Sequence, residues 1–105
     1  MAGSLLAAAA VAGTSALMVG LLAVGGAGVA SQRIAAVADA AALAAADVAS
    51  GAIPGDPCER AREVAQTQGA VVAECALDGI VATVAVEGRF SGLPVTGRAR
   101  AGPPP

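Results

Sequence analysis

The chain contains no histidine, no lysine, no tryptophan and no tyrosine, and Phe90 is its single aromatic residue. The commonest general bases and the amine nucleophiles are therefore missing. No serine motif of the nucleophile type occurs. Asp39 and Asp47 lie eight residues apart on roughly one helix face, but acid–base work needs an enclosing cleft, and they read as solvated helix charges. Glu74, Asp78 and Glu87 read as exposed strand and turn residues. The Gly25-Gly26-Ala27-Gly28 cluster has no Lys-Ser/Thr after it and so is no phosphate loop. Cys58 and Cys75 are the only cysteines, and two thiolates without histidine do not complete a structural zinc site. Net charge is −2, and all six basic residues are arginine. Arg60 and Arg62 alternate with Glu59 and Glu63, which leaves Arg98 and Arg100 as a basic pair with no acid near them in sequence. That is too little for a nucleic-acid surface. These absences predict a protein that is not an enzyme, has no cofactor and no metal, and binds neither nucleic acid nor a small-molecule substrate.

Charge is also absent from the whole first third of the chain, where Arg33 is the first ionised side chain. The apolar run from Leu5 to Ala30 is about 26 residues, or roughly 39 Å as a helix, against a hydrocarbon core of about 30 Å. Residues 1–30 are therefore predicted to be a transmembrane segment. Leu5, Leu6, Val11, Leu17, Met18, Val19, Leu21, Leu22, Val24 and Val29 supply the stronger drive to insert. Ala12, Ala16 and Gly20 form a small-xxx-small series that lets helices approach closely in lipid, although such matches arise by chance in a chain this rich in Ala and Gly. A secretory signal has a basic n-region and a shorter apolar stretch. No basic residue precedes Leu5, which is also what a start site placed downstream of the true one would give. Gly28-Val29-Ala30 does meet the small-residue rule for cleavage before Ser31.

Residues 31–50 read as an amphipathic extension of the same helix. Ile34, Val37, Ala41, Ala45 and Val48 recur at intervals of three and four. Arg33, Asp39 and Asp47 lie off that stripe. Gly51 ends the helix, and Pro54 follows. A small αβ domain over 51–102 comes next. Asp56-Pro57-Cys58-Glu59 is a helix start, with Asp56 as N-cap, Pro57 at the first helical position and Glu59 at the third. That helix is predicted to run to Gln68 and stop at Gly69. A short strand over 70–75 follows, with a hairpin signal at Asp78-Gly79. The next strand covers 80–87 and places Ile80, Ala82, Val84 and Val86 on one face. The chain turns through Ser91-Gly92 into an edge strand over 94–101. Val95, Gly97, Ala99 and Ala101 face inward there, and Thr96, Arg98 and Arg100 face outward. A disordered tail at 103–105 closes the chain. The predicted class is α+β: a long N-terminal helix, a short second helix and a three-stranded antiparallel sheet.

Cys58 and Cys75 both lie beyond the span, so in an exported domain they form a natural disulfide, tying the start of the short helix to the end of the first strand. Two unrelated buried thiols are the alternative. Orientation draws on opposing signals: the positive-inside rule would hold Arg33 in the cytoplasm, whereas a disulfide requires the C-terminal part outside. One arginine is a weak determinant. The expectation is a single-pass protein of the cell membrane with its C-terminal domain extracytoplasmic.

The order of features carries a resemblance. An uncharged span leads into Ser31-Gln32-Arg33, then Ala38-Asp39-Ala40-Ala41-Ala42-Leu43-Ala44-Ala45-Ala46. Gly55-Asp56-Pro57-Cys58 follows, then Ala70 to Cys75 and the ending Arg98-Ala99-Arg100-Ala101-Gly102. Over roughly residues 14–102 this resembles the actinobacterial TadE-like pseudopilins, found beside Tad/Flp-type pilus and secretion components. The resemblance implies a pilin-like fold and a minor pilin-like assembly subunit whose partners are the lipid bilayer and other pilin-like or Tad/Flp-type membrane components. One departure stands out. Processed Flp-type pilins carry a glutamate near the start of the mature apolar helix, and here no acidic residue precedes Asp39. A permanently anchored role is the form expected. The other reading is a small secreted, disulfide-stapled binding protein released by cleavage after Ala30.

Overall fold

The computed structural model describes residues 2–103. Its α+β architecture consists of a 48-residue helix α1 (Ala2–Ala49), a short helix α2 (Pro57–Thr67), and strands β1 (Val71–Asp78), β2 (Val81–Phe90) and β3 (Leu93–Ala101). The strands form one antiparallel sheet in the order β1-β2-β3. The molecule is elongated, 76 × 30 × 16 Å, because α1 alone rises roughly 72 Å. Of the expected tail, Pro103 follows β3 without regular structure, and Pro104 and Pro105 lie outside the described residues.

Local chemistry accounts for where each helix starts and stops. The Asp56 carboxylate accepts the Glu59 N–H at 3.0 Å, and Pro57 occupies the first turn, where a missing N–H costs nothing. Both helices end in the same way. Gly51 and Gly69 adopt positive φ (85° and 74°). Around them, Gly51 N–H donates to Val48 and Ala52 N–H to Asp47, while Gly69 N–H donates to Gln66 and Ala70 N–H to Ala65. These are paired Schellman bonds, which satisfy carbonyls that the last helical turn leaves open.

The core is built mostly of alanine. Ten of its fourteen residues are Ala, joined by Ile34, Val37, Val84 and Val86. The C-terminal half of α1 lies over β2 and β3, while α2 packs beside α1 and over β1. The stripe Ile34, Val37, Ala41, Ala45 and Val48 is buried throughout. Ala38 and Ala42 are buried with it, because α1 meets the sheet and α2 together and needs a broader apolar face. Ala61 and Ala65, one turn apart, form the buried face of α2.

The sheet departs from the sequence expectations in three places. β1 runs on to Asp78, still paired with β2, past a bulge at Ala73 that shifts the register between Val72 and Glu74. The extra residue resets the alternation, so Val72, Cys75 and Leu77 all turn inward. The first hairpin turns on Gly79-Ile80, not Asp78-Gly79: Asp78 pairs with Val81, and Gly79 supplies the positive φ of 61°. Ile80 therefore sits in the turn and stays 42 % exposed, while Ala82, Val84 and Val86 form the inner row of β2. β2 also extends to Phe90. The second hairpin turns on Ser91-Gly92, with φ of 50° and 78°.

Candidate functional site

Three features of the surface bear on function. The first is the N-terminal half of α1. It is the one helix among the described residues long and apolar enough to cross a membrane, and none of its most apolar window is buried against the rest of the chain. Leu5, Leu6, Leu17, Met18, Leu21, Leu22 and Val29 each stay at least 59 % exposed. Ala12, Ala16 and Gly20 share one ridge of this segment at four-residue intervals and are exposed as well. A Cβ placed at Gly20 meets nothing within 4 Å. The chain itself covers none of this ridge.

The second feature is the disulfide. Cys58 and Cys75 are bonded, with their Cα atoms 5.9 Å apart. The bridge ties the first turn of α2 to the middle of β1 and not to its end, because β1 continues three residues past Cys75. It closes a loop of 17 residues. The chain-entropy estimate for such a loop is about 3 kcal/mol. A core of small side chains buries little apolar area per residue, so a cross-link of this size is a large share of typical domain stability.

The third feature is the meeting of the sheet with the foot of the apolar helix. The contacts along β2 run toward the N-terminus of α1. Gly88 lies against the Ile34 side chain, and two residues further the Phe90 ring reaches Gly26, where a Cβ would stand 3.4 Å from its Cζ. The β2–β3 hairpin tip is thus the part of the domain nearest the uncharged segment, and the Gly79-Ile80 turn is at the far end. Between the tip and α1 is a cleft of about 390 Å³ whose lining includes Gly26, Val29, Arg33, Arg89 and Phe90.

Charges are distributed over the solvent face. Arg60 pairs with Glu63 at 3.0 Å. Arg98 pairs with Glu74 across the outer sheet face, spanning β2 at Ala85. The apparent isolation of Arg98 in sequence is therefore corrected by the fold, which brings a residue 24 positions away into contact. Asp39 and Asp47 are exposed on α1 and do not line the cleft beside the hairpin tip. Among the described residues no polar or charged side chain is buried, and no cluster of three or more His, Cys, Asp or Glu side chains is placed to hold a metal ion.

In comparisons with known proteins, no family model matches the chain, and no curated protein and no solved structure is significantly similar to it. Sequence reasoning identified the apolar segment, the small-residue ridge and the cysteine pair. It missed the Phe90–Gly26 contact. The one signal available was a lone aromatic beside a Ser-Gly turn, facing a Gly-rich stretch that can accept a ring.

Proposed function

We propose that this protein is a membrane-anchored, TadE-like minor pseudopilin, a non-catalytic assembly subunit of a Tad/Flp-type pilus or secretion machine. In this reading the first part of α1 lies in the bilayer, and the disulfide-stapled domain stands on the extracytoplasmic side. The Ala12, Ala16 and Gly20 ridge packs laterally against helices of other membrane components. The observation that carries the proposal is the division of one unbroken helix. Its C-terminal half is the spine of the core, and its N-terminal half is apolar and uncovered. Such a surface requires lipid or other helices around it. The packing of Phe90 on Gly26 adds support, because it engages the segment that cleavage after Ala30 would remove.

A second reading, the secreted binding protein, draws on a different observation. Every buried core residue lies at Ile34 or beyond, so a chain beginning at Ser31 would keep its whole core and its disulfide. Fractionation of the native host with intact-mass analysis separates the two. The anchored reading expects the full-length mass, less two hydrogens for the disulfide, in the membrane fraction. A mass beginning at Ser31 in the culture fluid would establish the secreted protein in its place.

A further inference from the structure

We propose that the β2–β3 hairpin tip is an interfacial membrane anchor, in which Phe90 and Leu93 enter the outer lipid interface and Arg33 and Arg89 bind the phosphates of lipid headgroups. The inference rests on the anchored reading of α1 and adds a second point of membrane contact to it.

Depth is the first argument. If the hydrocarbon begins near Leu6, about 20 residues cross its roughly 30 Å and the far boundary falls near Gly25. Gly26, on which Phe90 packs, then sits at the start of the headgroup layer. Arg33, seven residues on, lies roughly 10 Å further out along the helix axis, and its long side chain, tilted toward the helix N-terminus, carries the guanidinium back toward the headgroup layer. The hairpin tip is thus held at the level where the bilayer changes from apolar to charged.

Chemistry is the second argument. The tip is apolar where it meets that boundary. Phe90 is the chain's single aromatic residue, and Leu93, its cross-strand partner on the same face, is 67 % exposed. The rest of the chain leaves this leucine beside the aromatic ring uncovered, and the lipid interface is the environment that accepts both. The cleft beside them is lined by Arg33 and Arg89. The ion pairs formed among the described residues engage Arg60 and Arg98, so neither cleft arginine has a carboxylate partner. Arg89 donates from one nitrogen to the Gly92 carbonyl at 3.0 Å, which folds the side chain over the tip and leaves its other N–H groups for an anion. Two guanidinium groups at headgroup depth match the phosphodiester of a phospholipid in both charge and geometry.

The test uses full-length protein in vesicles of phosphatidylcholine with and without phosphatidylglycerol. The chain has no tryptophan, so a single introduced one reports its own depth. Three variants are compared by quenching with lipids brominated either near the headgroup or near the bilayer centre: Leu17→Trp in mid-span, Leu93→Trp at the tip, and Leu43→Trp on the exposed far part of α1. Leu93→Trp is the primary tip probe, because Leu93 is the more exposed site, and Phe90→Trp is added as a second. The expected result is deep quenching at 17, shallow quenching at 93 and 90, and none at 43. The tip signal should strengthen with phosphatidylglycerol, and Arg33→Gln with Arg89→Gln should abolish that increment. Quenching at 17 with none at 93 or 90 would overturn the tip anchor while leaving the membrane span intact. Absence of quenching at 17 would overturn both. Tip quenching that ignores phosphatidylglycerol would refute the role given to the two arginines.

Discussion

Replacing Gly97 by alanine is the sharpest probe of how this domain is held together. Gly97 is buried on β3 where α1 crosses the sheet. A Cβ there would lie 2.8 Å from the Ile34 carbonyl oxygen, 2.9 Å from its carbon and 3.1 Å from the Ala35 nitrogen. All three are helix backbone atoms, so no rotamer change relieves the overlap, and α1 must lift off the sheet by a few tenths of an ångström. Ala38, Ala41, Ala42 and Ala45 lie on the same rigid rod, and their short side chains cannot follow. A radial gap of about 0.5 Å forfeits roughly a quarter of each dispersion contact. Overpacking of this kind costs about 1–3 kcal/mol, partly offset by the roughly 0.4–1 kcal/mol that Gly-to-Ala gains through the unfolded chain. The expected net loss is about 1 kcal/mol.

Gly88→Ala is the matched control. Its Cβ would meet Ile34 at 2.9 Å, but at Cδ1, the free end of a flexible side chain. A rotamer adjustment of about 0.5–1.5 kcal/mol absorbs the overlap, and the unfolded-state gain cancels much of it. With no tryptophan or tyrosine to report unfolding, pulse proteolysis across a urea series in mild detergent is the suitable assay, with the disulfide kept oxidised. Gly97→Ala should move the midpoint to clearly lower urea, and Gly88→Ala should stay close to the parent. Equal midpoints for the two, or a larger loss at Gly88, would refute the claim that α1 and β3 meet backbone to backbone.

The other expectations use the same assay unless stated. Reduction of the disulfide, or Cys58→Ser, should cost about 3 kcal/mol and lower abundance in the host; unchanged protease resistance would count against that loop-closure estimate. Val84→Ala removes side-chain volume at a fully buried central position and should cost about 2 kcal/mol, whereas the same change at exposed Val71 should be near neutral. Asp56→Ala removes the acceptor for Glu59 N–H and should cost about 1 kcal/mol. Ala16→Leu and Gly20→Leu touch nothing in the domain and should leave the midpoint unchanged, while reducing co-purification with membrane partners if that ridge is a helix-packing surface. Retention of those partners would refute the packing role.

Much of the fold was legible because its long elements follow simple periodicities. The α1 stripe repeats at helical spacing, and the inner rows of β2 and β3 alternate. Asp56-Pro57 and the two terminal glycines mark helix ends with chemistry that few other residues supply. What escaped had physical reasons. Ala38 and Ala42 carry no periodic signal in a segment that is nearly all alanine. The bulge at Ala73 breaks the alternation that would have carried β1 past Cys75. Asp-Gly favours a turn centred on both residues, yet the pairing of Asp78 with Val81 moved it on by one. The contacts Phe90–Gly26 and Arg98–Glu74 join positions 64 and 24 residues apart, and no local pattern reports them.

An alanine core has a consequence that ties the fold to its proposed setting. Short side chains bring backbones close, so α1 and the sheet make their contact along a narrow line, and that line ends near residue 26. Such a core resists insertion of volume but gains little from burial, since each alanine removes far less apolar area from water than a leucine. Stability must then come from constraint on the chain: a cross-link between α2 and β1, two Schellman-capped helices, and an α1 continuous with the apolar segment. Anchoring α1 in a bilayer adds to that constraint, because it fixes the axis on which the sheet is assembled. The domain should accordingly be more protease-resistant in vesicles than as a chain cut after Ala30, and equal resistance of the two would show that the apolar half of α1 contributes nothing to the fold.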